Sequence, residues 1–274
     1  MKQHTVAPYR GLRTRADPGS DMALRAAIFL PRMPDRAFYF GRTAAAIHEY
    51  PLPPRFSDET NLHVGVPAGL RRIDAVGIVA HHVRVTATDI EIRRGLPVSS
   101  APRTWCDLAA SGLSLGELVA AGDRAIWRRN PLTTRRDLLR CIGRYESRRG
   151  SRLMRVAIEL LDPAADSAPE SEIRVAILEA GLPRPAVNLK IPIPGFGDIH
   201  PDLSWPRARV AIEYEGDHHR VGREQWQHDI RRYAALQDAG WWIYRATVVD
   251  YRDPHQLLLW LARHLPTDEM KVRS

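Results

Sequence analysis

The segment Arg209-Val-Ala-Ile-Glu-Tyr-Glu215 reads as a β-strand, and a strand sends successive side chains to opposite faces. Val210, Ile212 and Tyr214 then share one face, and Ala211, Glu213 and Glu215 share the other. Asp202 lies on the preceding strand, across a Pro206-Arg207 turn, so an antiparallel hairpin brings it close to Glu213. Three carboxylates gathered in this way repel one another unless a cation lies between them. Oxygen-only ligands suit a hard divalent ion such as Mg²⁺ (or Mn²⁺), which keeps several waters and accepts phosphate oxygens. Such an ion lowers the pKa of a bound water and stabilises charge on a reacting phosphate. The chemistry expected of Asp202, Glu213 and Glu215 is therefore phosphodiester hydrolysis. The plain alternative is a set of ordinary solvated acids, since an Asp followed by Glu-x-Glu is a common chance spacing. The residues that follow, Gly216, His218-His219, Asp229 and Arg232, strengthen the functional reading.

The elements that must hold these groups run from Ser167 onward. Ser167-Ala-Pro-Glu170 has the form of a capping box, followed by Ile173, Ile177 and Ala180 on one helical face and by Gly181 as a left-handed stop. Two β segments are expected at Val187–Ile193 and Asp198–Trp205, then the strand Ala208–Glu215. A helix over Arg223–Ala239 presents Trp226, Ile230, Tyr233 and Gln237 at helical spacing, and Gly240 ends it. Trp241–Ala246 gives a strand parallel to its predecessor, and a last helix, Pro254–Leu265, packs across the sheet. The expected class is α/β (α+β), with the order α-β-β-β-α-β-α. Trp205, Trp226, Trp241 and Trp242 are expected to pack rather than to stack on bases.

Ahead of this region, residues 1–161 read as a mixed α+β domain, with 162–166 as linker and 266–274 as tail. Ser20-Asp21 caps a helix over Met22–Leu30 that Pro31 ends. Strands are expected at Ala37–Phe40, Leu62–Val66 and Gly77–Val85, with Pro67-Ala-Gly69 as a turn. Helices are expected at Thr43–His48, Thr104–Ala110, Leu115–Ile126 and Arg135–Leu161, the last with a break near Gly150. Residues 1–160 carry 26 Lys+Arg against 15 Asp+Glu, whereas 161–274 carry 14 against 17. A basic front half suits a nucleic-acid partner and equally suits an arginine-rich solvated surface. Two cysteines, Cys106 and Cys141, are too few for a disulfide framework. No apolar run is long enough to span a bilayer or to serve as a signal peptide, so a soluble cytoplasmic protein with no membrane partner is expected.

The runs PESEIRVAILEAGLP, HPDLSWPRARVAIEYEGDHHR and QWQHDIRRYAALQDAGWWIYRAT resemble the very-short-patch-repair endonuclease-like branch of the PD-(D/E)xK nuclease superfamily. The resemblance covers residues 167–265 and implies a restriction-endonuclease-like core. It sets Asp202 at the metal-binding Asp and Glu213 at the acidic residue of the next strand. Glu215 stands where the superfamily motif usually has lysine, a departure that members of this branch commonly share. His219 matches the His after the acidic strand and is the candidate general acid/base. Glu170 has two open readings, the early metal-approaching Glu of these folds or a capping residue. Asp229 and Arg232 either pair on their helix or orient the site. Arg245 either meets a phosphate or pairs with a carboxylate at the core edge.

The front half carries a second resemblance, in AFYFGRTAAAIHEYPLPP, LHVGVP, RGLPVSSAPRTWCDLA and LVAAGDRAIW. It is similar to actinobacterial proteins that join this nuclease-like domain to a region like the type IV antitoxins of abortive-infection systems. Such proteins often begin with a winged helix, which this sequence is expected to lack, and they imply a toxin partner. Arg42, Arg71, Arg72, Arg93, Arg94 and Arg103 are the candidate phosphate contacts, set against a plain role as solvated surface. Two functions follow: a Mg²⁺-dependent DNA endonuclease, or a non-catalytic DNA-binding or antitoxin-like regulator that keeps the nuclease fold. A small-molecule metallohydrolase lacks a zinc-type His set.

Overall fold

Side-chain caps and tight turns set most element boundaries in this chain. The computed structural model describes residues 6–15, 17–70, 73–216 and 223–266, without the side chains of 223–229. The chain divides into two compact units, Met1–Glu159 and Leu160–Ser274. The first opens with a hairpin of β1 (Val6–Tyr9) and β2 (Leu12–Thr14). Asp21 then accepts the Leu24 N–H at 2.9 Å and starts α1 (Met22–Phe29), just ahead of Pro31. There follow β3 (Phe38–Tyr39), α2 (Gly41–His48), β4 (Leu62–Pro67), β5 (Ile78–Val83), β6 (Ile90–Arg93) and β7 (Leu96–Ser99). Among the described residues these five strands form one sheet, ordered β5-β4-β3-β7-β6. β4 and β5 pair in parallel, Leu62 opposite Ile78, so the Pro67-Ala-Gly69 turn does not make a hairpin. The β6–β7 hairpin turns at Arg94 and Gly95, both at positive φ, the geometry of a two-residue loop.

Four helices complete the unit: α3 (Ala101–Ala109), α4 (Leu115–Ala125), α5 (Arg135–Arg144) and α6 (Ser151–Leu160). Ser114 and Glu117 form a reciprocal capping box at the head of α4. The long helix expected over Arg135–Leu161 is broken across residues 145–150. Gly150, at φ 78°, lies where a Cβ would stand 2.6 Å from the Ala109 backbone, so the helical pair needs glycine there. Phe29, Tyr39, Ile47, Leu62, Val64 and Val98 fill the core between sheet and helices.

The second unit runs α7 (Ala168–Glu179), β8 (Ala186–Val187), β9 (Ile191–Ile193), β10 (Gly197–Ile199), β11 (Leu203–Trp205), β12 (Val210–Tyr214), α8 (Arg223–Asp238), β13 (Trp242–Ala246), α9 (Val248–Arg252) and α10 (His255–His264). This is a mixed α/β unit with more pieces than expected. Val187–Ile193 and Asp198–Trp205 each split in two, and among the described residues β9 and β10 pair only with each other. Asn188, at φ 46°, turns the chain out of the first strand. The remaining strands form a mixed sheet, β13-β12-β11-β8, with β12 and β13 parallel and β11 antiparallel to both neighbours.

The alternation along β12 is as expected. Val210 and Ile212 pack with Ile173 and Ile177 of α7 and with Leu257 and Leu261 of α10. Ala211 packs on the opposite face with Leu236 of α8, Trp241 and the β9–β10 hairpin. Full burial of each large aliphatic side chain contributes about 1.5–3 kcal/mol, so a one-residue slip of β12 would forfeit this set and turn Glu213 into the α7–α10 core. Residues 162–166, expected as a linker, fold with this unit: Ala165 is buried in its core and Ala164 O accepts the Asn188 amide. Among the described residues no helix is long and apolar enough to cross a membrane.

Candidate active site

The β11–β12 register sets Leu203 opposite Ile212, so Asp202 arrives at the end of β12 from which Glu213 projects. The Asp202 Oδ2 accepts the Tyr214 N–H at 2.7 Å, and its backbone carbonyl accepts the Asn188 N–H at 3.0 Å. Burial drives the Asp202 carboxyl up to about 7, helped by the nearby charges of Glu170 and Glu213 and opposed by Tyr214 N–H and Arg232. Glu213 is buried, 5% exposed; it is ion-paired with Arg232 and accepts the Tyr233 hydroxyl at 2.7 Å. Glu215 lies at the margin, paired with Arg245 and accepting the same hydroxyl at 3.2 Å. Arg245 also stacks over the Tyr233 ring.

At Glu170 the expected capping box is half made. Ser167 Oγ accepts the Glu170 N–H at 3.3 Å, which is half of a capping box. The Glu170 Oε2, however, accepts the N–H of Asp166 (3.0 Å) and Nδ2 of Asn188 (3.2 Å), and this buried carboxyl is raised chiefly by desolvation. Its charge is felt by Asp202. A groove of about 710 Å³ opens here, walled by Asp202, His200, Asp198, Arg231, Arg232 and the Gly195-Phe196 turn.

The charges of Glu170 and Glu213 thus act on Asp202, whereas Glu215 pairs with Arg245. Among the described residues no group of three or more His, Cys, Asp or Glu side chains closes to ion-gripping distance. In this geometry Arg232 and Tyr233 hold the Glu213 oxygens. The donor chemistry still fits Mg²⁺ or Mn²⁺: oxygen ligands only, and buried carboxylate charge that one guanidinium leaves incompletely balanced. Such ions need one or two carboxylates, with water and phosphate completing the shell. Asp202, with Glu170 or Glu213, would hold it.

His219 lies outside the described residues, as do His218, Arg71 and Arg72, and so does the side chain of Asp229. Arg232 pairs with Glu213, and its expected pairing with Asp229 lies outside the described residues. Tyr233 and Ile230 share the expected helical spacing; the Tyr233 hydroxyl bridges two carboxylates, and Ile230 is 48% exposed. Asn188 and His200 were also missed; a lone Asn inside a strand-like run was the signal for the first, and His200-Pro-Asp202 adjacency for the second. Trp205 and Trp241 are buried, while Trp242 is exposed.

In the first unit, several candidate phosphate contacts serve the fold instead. Arg42 is held by Glu59 (2.7 Å) and His63 (3.1 Å) over the Phe56 ring. Arg103 is half-buried on Asp107 (2.9 Å) and the Tyr145 ring, and donates to Arg84 O. These two guanidiniums are committed to internal ion pairs. Arg93 donates to Ile47 O, and Arg94 pairs with Glu49 while staying half exposed.

Asp107 is fully buried; its Oδ1 accepts Arg103 and Tyr145, and its Oδ2 has no partner. Burial raises its carboxyl from 3.8 to about 7, against the pull of Arg103 and Tyr145. A group raised in the fold contributes stability below its unfolded value that is lost as pH rises to its folded value. Asp107→Asn is therefore expected to remove a stability decline of a few kcal/mol between about pH 4 and 7. Thermal melts across that range check it, and a variant whose pH slope matches wild type contradicts it.

No family model and no solved structure matches the chain. Two proteins of Mycobacterium tuberculosis do: uncharacterized protein MT2308 of strain CDC 1551 / Oshkosh and uncharacterized protein Rv2248 of strain ATCC 25618 / H37Rv. Each is 31% identical over 231 residues, 83% of this chain and 81% of the relative. That stretch is longer than either unit and so spans parts of both. The chain belongs to the family of these two mycobacterial proteins.

Proposed function

We propose that the second unit hydrolyses phosphodiester bonds of DNA with the help of Mg²⁺ or Mn²⁺, as a very-short-patch-repair-like endonuclease acting in the cytoplasm. The observation that carries this reading is the half-buried Asp202 carboxyl on the wall of an open groove, its Oδ2 fixed by the Tyr214 N–H and within range of the charges of Glu170 and Glu213. The mixed sheet, with an antiparallel strand delivering Asp202 and a parallel strand beyond β12, supports it. A bound ion would supply an acidified water and stabilise charge on the phosphate. Asp202 and Glu213 would bind that ion, with Glu170 in support and Glu215 at the margin. Arg231, exposed on the groove wall, would attract the phosphate backbone. His219 is the proposed proton carrier, with Asp229 and Arg245 as supporting groups.

One observation favours the second reading, a non-catalytic DNA-binding or antitoxin-like regulator with a toxin partner. Glu213 and Glu215 are each satisfied by an arginine and by Tyr233, with no strand lysine beside them. Nicking of supercoiled plasmid in Mn²⁺ separates the two. Wild type is expected to cut, and Asp202→Ala and Glu213→Ala to cut at least about a hundredfold more slowly. Wild type that binds plasmid and cuts nothing in Mg²⁺ or Mn²⁺ overturns the enzyme and leaves the regulator.

A further inference from the structure

We infer that Asn188 is a positioning residue of this site, holding Glu170 and Asp202 in mutual register; the inference rests on the cation-site reading above. Asn188 is 8% exposed and sits at φ 46°, a backbone region that Asn tolerates better than most residues. From there it reaches three segments at once. Its Nδ2 donates to Ala164 O at 2.8 Å and to Glu170 Oε2 at 3.2 Å. Its backbone N–H donates to Asp202 O at 3.0 Å, and its carbonyl accepts His200 Nδ1 at 3.4 Å.

Glu170 enters from the first turn of α7 and Asp202 from the head of β11, and nothing in local sequence links them. The Glu170 charge acts on the half-buried Asp202, and like charges repel, so the two separate unless both are tethered. Asn188 is such a tether: it is neutral and gives one donor to the Glu170 side chain and one to the Asp202 backbone. Asn188 and Asp166 engage the same Glu170 oxygen, and the Ser167 hydroxyl also bonds this carboxylate, so Asn188 works within a set of donors that holds it in place.

The competing account is an ordinary left-handed turn at a strand break. Asn188→Gly separates the two, because glycine keeps the positive φ and removes only the amide. On the intact chain, Asn188→Gly is expected to melt close to wild type and to bind Mn²⁺ about 10–100-fold more weakly, with kcat for plasmid nicking reduced by a similar factor and KM nearly unchanged. Asn188→Asp, which replaces a donor with a like charge beside Glu170, is expected to do worse. Added to Glu170→Gln, Asn188→Gly should cost little more, since it acts through that carboxylate. Asn188→Gly with wild-type Mn²⁺ affinity and kcat overturns the role, and so does full additivity with Glu170→Gln. If either result comes with a wild type that cuts and an Asp202→Ala that does not, only the Asn188 role falls. A wild type that neither binds Mn²⁺ nor cuts overturns the site and the role together.

Discussion

Asp202→Asn is expected to stabilise the folded protein above neutral pH in the absence of divalent cations while abolishing plasmid nicking. The Asp202 carboxyl is raised from 3.8 to about 7 by burial, then by Glu170 and Glu213. The fold therefore prefers the protonated form. The stability this contributes is complete below about pH 4 and is lost as pH rises to about 7. Three pH units correspond to at most about 4 kcal/mol. Asparagine removes the charge and keeps an oxygen to accept the Tyr214 N–H. Its advantage in denaturant or thermal melts should grow between about pH 4 and 7 and then level off. An Asp202→Asn protein that is less stable than wild type above neutrality, or whose advantage ignores pH, contradicts the environment assigned to this carboxylate. Stability spent to keep an ionised group at a reactive position is a common feature of functional sites.

Arg232→Met carries the second large effect. Glu213 is buried, and its guanidinium partner is 25% exposed. Without Arg232, among the described residues, the Tyr233 hydroxyl alone would engage Glu213. Removing one member of such a pair leaves a buried charge uncompensated and costs about 3 kcal/mol or more. A divalent cation can take the place of the guanidinium, so saturating Mn²⁺ should restore much of the lost stability and bind the variant more tightly than wild type. Melts with and without Mn²⁺ read both effects. Equal stabilisation of variant and wild type by Mn²⁺ would show that Arg232 and the ion do not compete at Glu213.

The pairing of Asp202 with Glu213 was legible because it depends on two local regularities, strand alternation and a short turn. Both hold: Glu213 points to the α8 face, and Asp202 meets the end of β12. What covers that face is a tertiary matter. Helical spacing put Tyr233 on one stripe with Ile230, and no periodicity distinguishes a tyrosine that packs from one whose hydroxyl caps two carboxylates. The strand breaks at Asn188 and before Asp202 had weak local signals, a lone Asn in a strand-like run and the adjacent His200-Pro201, and the left-handed φ at Asn188 belongs to the folded chain. The β6–β7 hairpin escaped notice because its strands are four residues each, although Arg94-Gly95 was a usable turn signal. Arginine count in the first unit spoke for phosphate, yet Arg42 and Arg103 are spent on Glu59 and Asp107, partners distant in sequence or one helical turn away. Charge composition cannot reveal such pairing.

Titration of the intact chain with Mn²⁺, followed by electron paramagnetic resonance, is the most direct test of a cation site at Asp202. One bound Mn²⁺ in wild type, lost in Asp202→Ala, is the expected result. A wild type that binds none, or an Asp202→Ala protein that binds equally well, contradicts it.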